Sequence, residues 1–161
     1  MKDTIDIEKV YDVHSRRLYN VSLRITGCSA DAEEIMHDSL IAYWHFRKKP
    51  EIKDLSGWLT SVCIRKSIDR LRERNRRSIF LENYEDPSLE ENVEIETSYN
   101  IDDILKALQK LPDNYRAIVS LHLFEGYDYQ EISQITGAKE STVRTLYMRG
   151  RQRLCEMLKN R

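Results

Sequence analysis

The chain has 161 residues, 33% of them charged and 40% hydrophobic, with five glycines and three prolines, a mix that favours helices over sheets. Its 26 basic and 27 acidic residues leave a net charge of −1, which taken whole argues against a nucleic-acid binder. No stretch approaches a membrane span, Met1-Lys-Asp-Thr-Ile-Asp6 lacks an apolar signal core, and Cys28, Cys63 and Cys155 lack the spacing of a zinc site or a disulfide frame, so a soluble cytoplasmic protein without cofactor or metal is expected.

Val10, Val13, His14, Leu18, Val21 and Ile25 recur at helical spacing, and Gly27 supplies a stop. Ser29 is placed to cap a second helix, with Ala32, Ile35, Met36, Leu40, Tyr43 and Trp44 on its apolar side. Asp31, Glu33 and Glu34 open that helix, where the dipole favours negative charge. Arg47 to Asp54 breaks the pattern as a loop, and a third helix runs from about Trp58 to Arg76. Leu81 to Asn100 has little periodicity and reads as a flexible linker. Ile101, Ile104, Leu105, Leu108 and Leu111 restore a helix that Pro112 ends. Asp113 or Asn114 starts the next, through Tyr115, Ile118, Leu121 and Phe124, and Gly126 closes it. The expectation is an all-α chain with two small helical domains: an N-terminal bundle over 1–80 and a C-terminal four-helix domain over 101–161, joined by an acidic linker over 81–100.

The near-neutral charge hides a segregation. Ile64 to Arg77 holds seven basic and two acidic residues, Leu81 to Asp103 nine acidic and no basic ones, and Lys139 to Arg161 seven basic and two acidic. A single basic run is ordinarily a solvated helix face. Two runs flanking an acidic connector point to two nucleic-acid contacts.

Tyr129 to Arg149 reads as a helix, a glycine turn and a second helix. Ile132, Val143 and Leu146 fall where the helices must pack, Ser133 is small where the backbones approach, and Gly137 supplies the positive φ of the turn. The second helix carries Ser141, Thr142, Arg144, Thr145, Met148 and Arg149, a polar and basic surface suited to a DNA major groove. An exposed cluster of Arg144, Thr145, Arg149, Arg151 and Arg153 separates this pattern from an ordinary helical hairpin.

Tryptophan is more often core than ligand, and both Trp44 and Trp58 are expected in the core. Between them lies a basic loop with Arg47, Lys48 and Lys49, and Phe46, Ile52 and Leu55 are candidates for the apolar wall of a pocket for an unstacked base. Asp31, Glu33, Glu34, His37 and Asp38 form a polar helix face whose ordinary reading is a solvated one. There is no Ser/His/Asp set, no paired carboxylates in an apolar pocket and no glycine-rich phosphate loop, so no enzyme and no small-molecule substrate are expected.

In order along the chain, these residues resemble the bacterial RNA polymerase sigma factors of the sigma-70 family, extracytoplasmic-function group. Asp31-Ala-Glu-Glu-Ile-Met-His-Asp38 resembles the acidic entry to region 2.2. Ala42-Tyr-Trp44 and Trp58-Leu59 resemble the aromatic positions around region 2.3, and Ile68-Asp-Arg-Leu-Arg72 the basic helix of region 2.4. Leu108-Gln-Lys-Leu-Pro112, Phe124 to Ile132 and Ser141-Thr-Val-Arg-Thr145 resemble region 4. The resemblance covers residues 8–77 and 101–158. His37 stands where the family commonly has Gln, Arg65 where it has Asn and Leu146 where Arg is frequent; the Trp44–Trp58 loop is about one residue short and lacks an Arg-Gly pair.

The resemblance implies binding to core RNA polymerase through Glu33, Glu34, His37 and Asp38. It implies capture of the promoter −10 strand by Lys48, Lys49, Arg65, Lys66, Asp69, Arg70 and Arg72, and reading of the −35 element by Ser141, Thr142, Arg144, Thr145, Met148 and Arg149. It implies an anti-sigma factor as a further partner and no insertion into a membrane. The alternative is a stand-alone helix-turn-helix transcription regulator with a helical partner-binding domain. It would bind duplex operators by itself, usually as a dimer.

Overall fold

A computed structural model describes residues 2–46, 49–75, 79–80 and 99–160, with side chains from Ile7 onward. They divide into two units, Met1–Arg70 and Leu71–Arg161. Among the described residues there are seven α-helices and no strand. Linker residues 81–98, as well as Arg47, Lys48, Arg76 and Arg77, lie outside the described set.

The first unit is built on α1 (Lys2–Thr26), α2 (Ser29–His45) and most of α3 (Leu55–Arg74), with a 3₁₀ turn at Lys49–Glu51. Leu18, Val21 and Ile25 of α1 are buried with Ala32, Ile35 and Met36 of α2 and Leu59, Cys63, Ile64 and Ile68 of α3. Each set repeats at three and four residues, so each helix commits one stripe to the core. Val13 is the departure: it is exposed, off the stripe that Leu18 and Val21 define. Small polar residues mark where α1 meets α3. The Ser67 hydroxyl lies 2.8 Å from that of Ser22 and 2.8 Å from the Cys63 carbonyl, and the Cys63 thiol donates to the Leu18 carbonyl at 3.3 Å. These groups are buried and satisfied, as interior polar atoms must be.

Gly27, at φ 66°, ends α1 in the left-handed conformation that glycine adopts without strain. Ser29 is the first residue of α2, not its cap; Cys28 holds the cap position and makes no side-chain cap bond. The third helix starts three residues before Trp58 because Asp54 caps it, its Oδ1 accepting from the Gly57 N–H at 3.1 Å.

The second unit holds α4 (Ile101–Gln109), α5 (Asp113–Val119), α6 (Tyr129–Thr136) and α7 (Glu140–Lys159). A π-helical stretch, Ser120–Phe124, continues α5. Asn100 caps α4 by accepting from the Asp102 N–H. Leu108, Leu111, Ile118, Leu121, Ile132, Val143, Leu146, Leu154 and Leu158 form the core. The Arg116 guanidinium is buried among them, donating to the Leu111 carbonyl at 2.9 Å and to Asp113, so its charge is paired and hydrogen-bonded.

Gly150 of α7 lies against α5. A Cβ there would stand 2.7 Å from Val119 Cγ2 and 3.1 Å from Tyr115 Cβ. Gly150→Ala is expected to destabilise the protein by about 1–3 kcal/mol through overpacking. Urea unfolding of the two proteins checks this, and an unchanged midpoint would show that α5 and α7 can part at little cost.

Candidate nucleic-acid and partner interfaces

The outer face of α2 is set by its inner one. With Ala32, Ile35, Met36 and Ser39 buried, Glu33, Glu34, His37, Ile41 and Trp44 are exposed and Asp38 is half-buried. The His37 ring stacks on Tyr11 of α1 at 5.9 Å, which ties the acidic surface to an exposed aromatic. Trp44, expected in the core, is 49% exposed, and Ile41 is exposed beside it on the helix. The helical period explains this, since 34, 37, 41 and 44 share a stripe that the core stripe excludes. This face therefore joins carboxylates to large apolar groups, the composition of a protein-binding surface rather than of a purely solvated one. Sequence reasoning missed Tyr11 and Ile41, although the spacing of Ile41 from Glu34 and His37 carried the signal.

Trp58 does pack. Its ring meets Phe46 at 5.0 Å and Tyr43 edge-on at 6.0 Å, so Phe46 belongs to an aromatic cluster and is half-buried. Ile52 and Leu55 are also half-buried. Lys49 donates to the Trp44 carbonyl at 2.7 Å and lies 5.4 Å over the Tyr43 ring. It closes the end of α2, where the dipole favours a cation.

The basic residues of α3 are not equivalent. Arg65 and Asp69 are exposed, and Lys66 is half-buried. Arg70 reaches α2, with Nη1 2.6 Å from Asp31 Oδ1 and Nη2 3.1 Å from Glu34 Oε1. The hydrogen bond to Glu34 is the largest influence on its guanidinium and raises its pKa against a smaller opposing effect of burial. Arg72, in the second unit, donates to the carbonyls of Ile135 and Thr136 at the end of α6. Lys48 of the expected −10 set lies outside the described residues.

In the second unit α6, the turn and α7 form the helix-turn-helix. Asp128 and Glu131 make a reciprocal capping box at the start of α6, an arrangement contributing about 1 kcal/mol. Gly137 turns the chain at φ 76°, and the Ser133 hydroxyl donates to the Ala138 carbonyl at 2.6 Å. Ile132, Val143 and Leu146 are buried between the helices.

The six expected base-facing residues fall on two stripes of α7. Ser141, Arg144 and Met148 follow each other at three and four residues; the first two are exposed and Met148 is half-buried. Thr142, Thr145 and Arg149 form the other stripe, and here the structure corrects the expectation of exposure for Thr145. It is 8% exposed, Thr142 is 4% exposed, and Arg149 is half-buried. The Thr145 hydroxyl folds back to donate to the Ser141 carbonyl at 3.0 Å, a bond that short β-branched side chains form with their own helix. Of the expected arginine cluster, Arg153 is exposed and lies 4.8 Å over the Tyr115 ring, and Arg151 is half-buried.

One cluster had no sequence signal. His122, in the π-helical stretch, stacks on Tyr129 at 4.9 Å and meets Tyr147 edge-on at 4.4 Å. Its Nδ1 lies 2.7 Å from the Tyr127 carbonyl, which can only accept, so Nδ1 carries the hydrogen. The ring thus holds the first residue of α6 against α7.

Among the described residues no group of three His, Cys, Asp or Glu side chains is placed to hold a metal ion, and no helix is long and apolar enough to cross a membrane. The exposure of Trp44 yields a contrast. Trp44→Ser is expected to change stability by no more than about 0.5 kcal/mol, whereas Trp58→Ala takes away the ring that packs on Phe46 and Tyr43 and costs about 2 kcal/mol or more. Thermal melts of both variants separate the two sites.

Comparison with known proteins bears on both units. The family profile "Sigma-70 region 2" matches residues 10–77, and "Sigma-70, region 4" matches residues 101–154. The chain is 32% identical over 152 residues to the ECF RNA polymerase sigma factor SigE of Mycolicibacterium smegmatis, an alignment covering 90% of this chain and 58% of that one. The chain thus spans less than two thirds of that relative's length. It is 26% identical over 159 residues to the ECF RNA polymerase sigma factor SigM of Bacillus subtilis, covering 92% of each. Among solved structures, the sigma factor RpoE of Bartonella quintana, determined in complex with the anti-sigma factor NepR, matches with a TM-score of 0.61 at 22% identity, over 96% of this chain and 97% of that one.

Proposed function

The chain belongs to the extracytoplasmic-function group of the sigma-70 family, and on that premise we propose that it is a promoter-specificity subunit of bacterial RNA polymerase. It binds core enzyme and directs it to promoters in the cytoplasm, acting by binding and not by chemistry of its own. The observation that carries this reading is the ordered pair of matches, region 2 over 10–77 and region 4 over 101–154, the second containing a complete helix-turn-helix.

Each assignment has a physical counterpart. Glu33, Glu34, His37 and Asp38 meet core polymerase, with Ile41 and Trp44 supplying the apolar part of the same face. Lys48, Lys49, Arg65, Lys66, Asp69, Arg70 and Arg72 form the −10 set. Arg65 is its exposed member best placed for a strand, and Arg70 and Arg72 require exchange of their present partners. In the −35 set, Ser141, Arg144 and Met148 lie on the stripe open to the groove and half-buried Arg149 flanks it towards the backbone, whereas Thr142 and Thr145, both buried, contribute by seating the helix. Arginine offers guanine a bidentate pair of donors, and a methionine methyl can touch thymine. A protein antagonist of this chain is supported by the NepR complex of the structural neighbour.

Run-off transcription with reconstituted core polymerase tests the whole reading: the chain should bind core without DNA and confer initiation at a defined start. Binding of duplex DNA as a dimer, with no affinity for core, would instead select the stand-alone regulator. Reversal of Glu34 and Asp38 to Lys is expected to weaken association with core while leaving the helical signal in circular dichroism unchanged. Co-purification at wild-type level would remove the α2 face from the interface.

The two stripes of α7 give a separate expectation for −35 reading. In holoenzyme, Arg144→Ala should cost about 1–3 kcal/mol and relax preference at one position. Arg149→Ala should weaken all −35 sequences alike and lower the salt slope by about one. Binding to a panel of single-base −35 variants at several salt concentrations distinguishes the roles, and a uniform loss with Arg144→Ala would reverse them.

A further inference from the structure

Arg70 lies between two roles. The −10 reading gives it to DNA and the α2 reading gives Glu34 to polymerase, yet the two side chains are joined. Arg70 Nη1 is 2.6 Å from Asp31 Oδ1 and 3.4 Å from Glu34 Oε2, and Nη2 is 3.1 Å from Glu34 Oε1. A carboxylate and a phosphate offer a guanidinium fork the same geometry of anionic oxygens. The two carboxylates of α2 therefore occupy donors that a strand phosphate would need.

The carboxylates differ in what else they can reach. The Asp31 side chain is 21% exposed and sits within the first turn of α2, whereas that of Glu34 is 60% exposed and opens onto the surface assigned to polymerase. An exposed ion pair is weak and exchanges readily; a sheltered one at shorter distance holds better. Glu34 is thus the partner that a basic residue of another protein can take, and Asp31 the one that stays.

We propose that Asp31 and Glu34 are positioning residues for Arg70: in the free protein they hold its guanidinium against α2, and transfer of Glu34 to polymerase opens its Nη2 edge to a −10 strand phosphate while Asp31 keeps it aimed. Polymerase binding and strand capture are then linked through one side chain. The inference rests on the polymerase and −10 assignments above and adds Asp31 to them.

The test uses the full chain and a fluorescent single-stranded oligonucleotide of mixed sequence at low salt. Glu34→Gln, which leaves Asp31 in place to aim Arg70, should raise the affinity of the free protein about fivefold, the scale of a partly exposed ion pair. A charge-matched control, Glu8→Gln on the exposed face of α1, should change it less than twofold. Adding Arg70→Ala to Glu34→Gln should abolish the gain, and adding Asp31→Asn should reduce it. In holoenzyme, Arg70→Ala should lower the salt slope by about 0.7, the value for one phosphate on a single strand, and in free protein it should not. A gain that survives Arg70→Ala, a gain matched by the control, or the same slope change in free protein and holoenzyme would overturn the proposal. Arg65→Ala separates the levels. If it lowers holoenzyme affinity while the carboxylate variants do nothing, the clamp fails and the −10 reading stands. If Arg65→Ala and Lys49→Ala are both silent in holoenzyme, the −10 reading fails and the clamp with it.

Discussion

The second unit depends on how closely α7 lies against α5. Hydrogen at Gly150 is all that fits beside Val119 and Tyr115, and that approach sets where the whole length of α7 runs. Its amino-terminal half is then seated on α6 by Val143 and Leu146, and its carboxy-terminal half lies in the core through Leu154 and Leu158. A reading helix must be rigid at the scale of a hydrogen bond, because a donor displaced by an ångström no longer finds its acceptor. Here rigidity comes from interdigitated aliphatic contacts at one end, a capping box and turn at the other, and the His122–Tyr129–Tyr147 cluster between them. The exposed stripe of Ser141 and Arg144 is thus presented by a scaffold with few ways to relax.

In the first unit, one helix carries the division of labour. The inner stripe of α2 is aliphatic, and its outer stripe joins acids to Ile41 and Trp44. A face so composed can anchor a partner by apolar area while its carboxylates choose a basic one. The Arg70 bridge ties that face to its neighbour α3.

Much of this is legible in the sequence because helical period and glycine placement act locally. Ile132, Gly137 and Val143 announce the helix-turn-helix, since a turn that tight needs positive φ and a small interhelical gap needs aliphatic filling. Gly27, Pro112 and Gly126 mark the breaks between helices for similar reasons. Sequence reasoning errs where tertiary context decides. Residue type alone puts Trp44 in the core, although its phase on α2 places it outside. Analogy with its neighbours makes Thr145 exposed, although its hydroxyl turns to the Ser141 carbonyl. Arg70 counts as one more charge in a basic run, because nothing in the sequence pairs it with residues 36 and 39 positions away. The cap of α2 shifts by one residue between sequence and structure, within the ordinary ambiguity of helix ends.

The π-helical stretch at Ser120–Phe124 carries a consequence for how this part of the chain can vary in length. A π turn holds one residue more than an α turn, so losing one residue there lets the turn close as regular helix with the chain beyond it nearly in phase. The residues inside the turn are the ones that move: a residue lost ahead of Leu121 would shift Leu121 and His122 round the axis relative to Ile118 and Tyr115. The ring that now stacks on Tyr129 would point elsewhere, and the loop from Glu125 to Asp128 would have to span a different gap. Relatives that share this cluster should therefore keep the number of residues between Pro112 and Gly137 fixed, tolerating changes of identity there far better than a change of count.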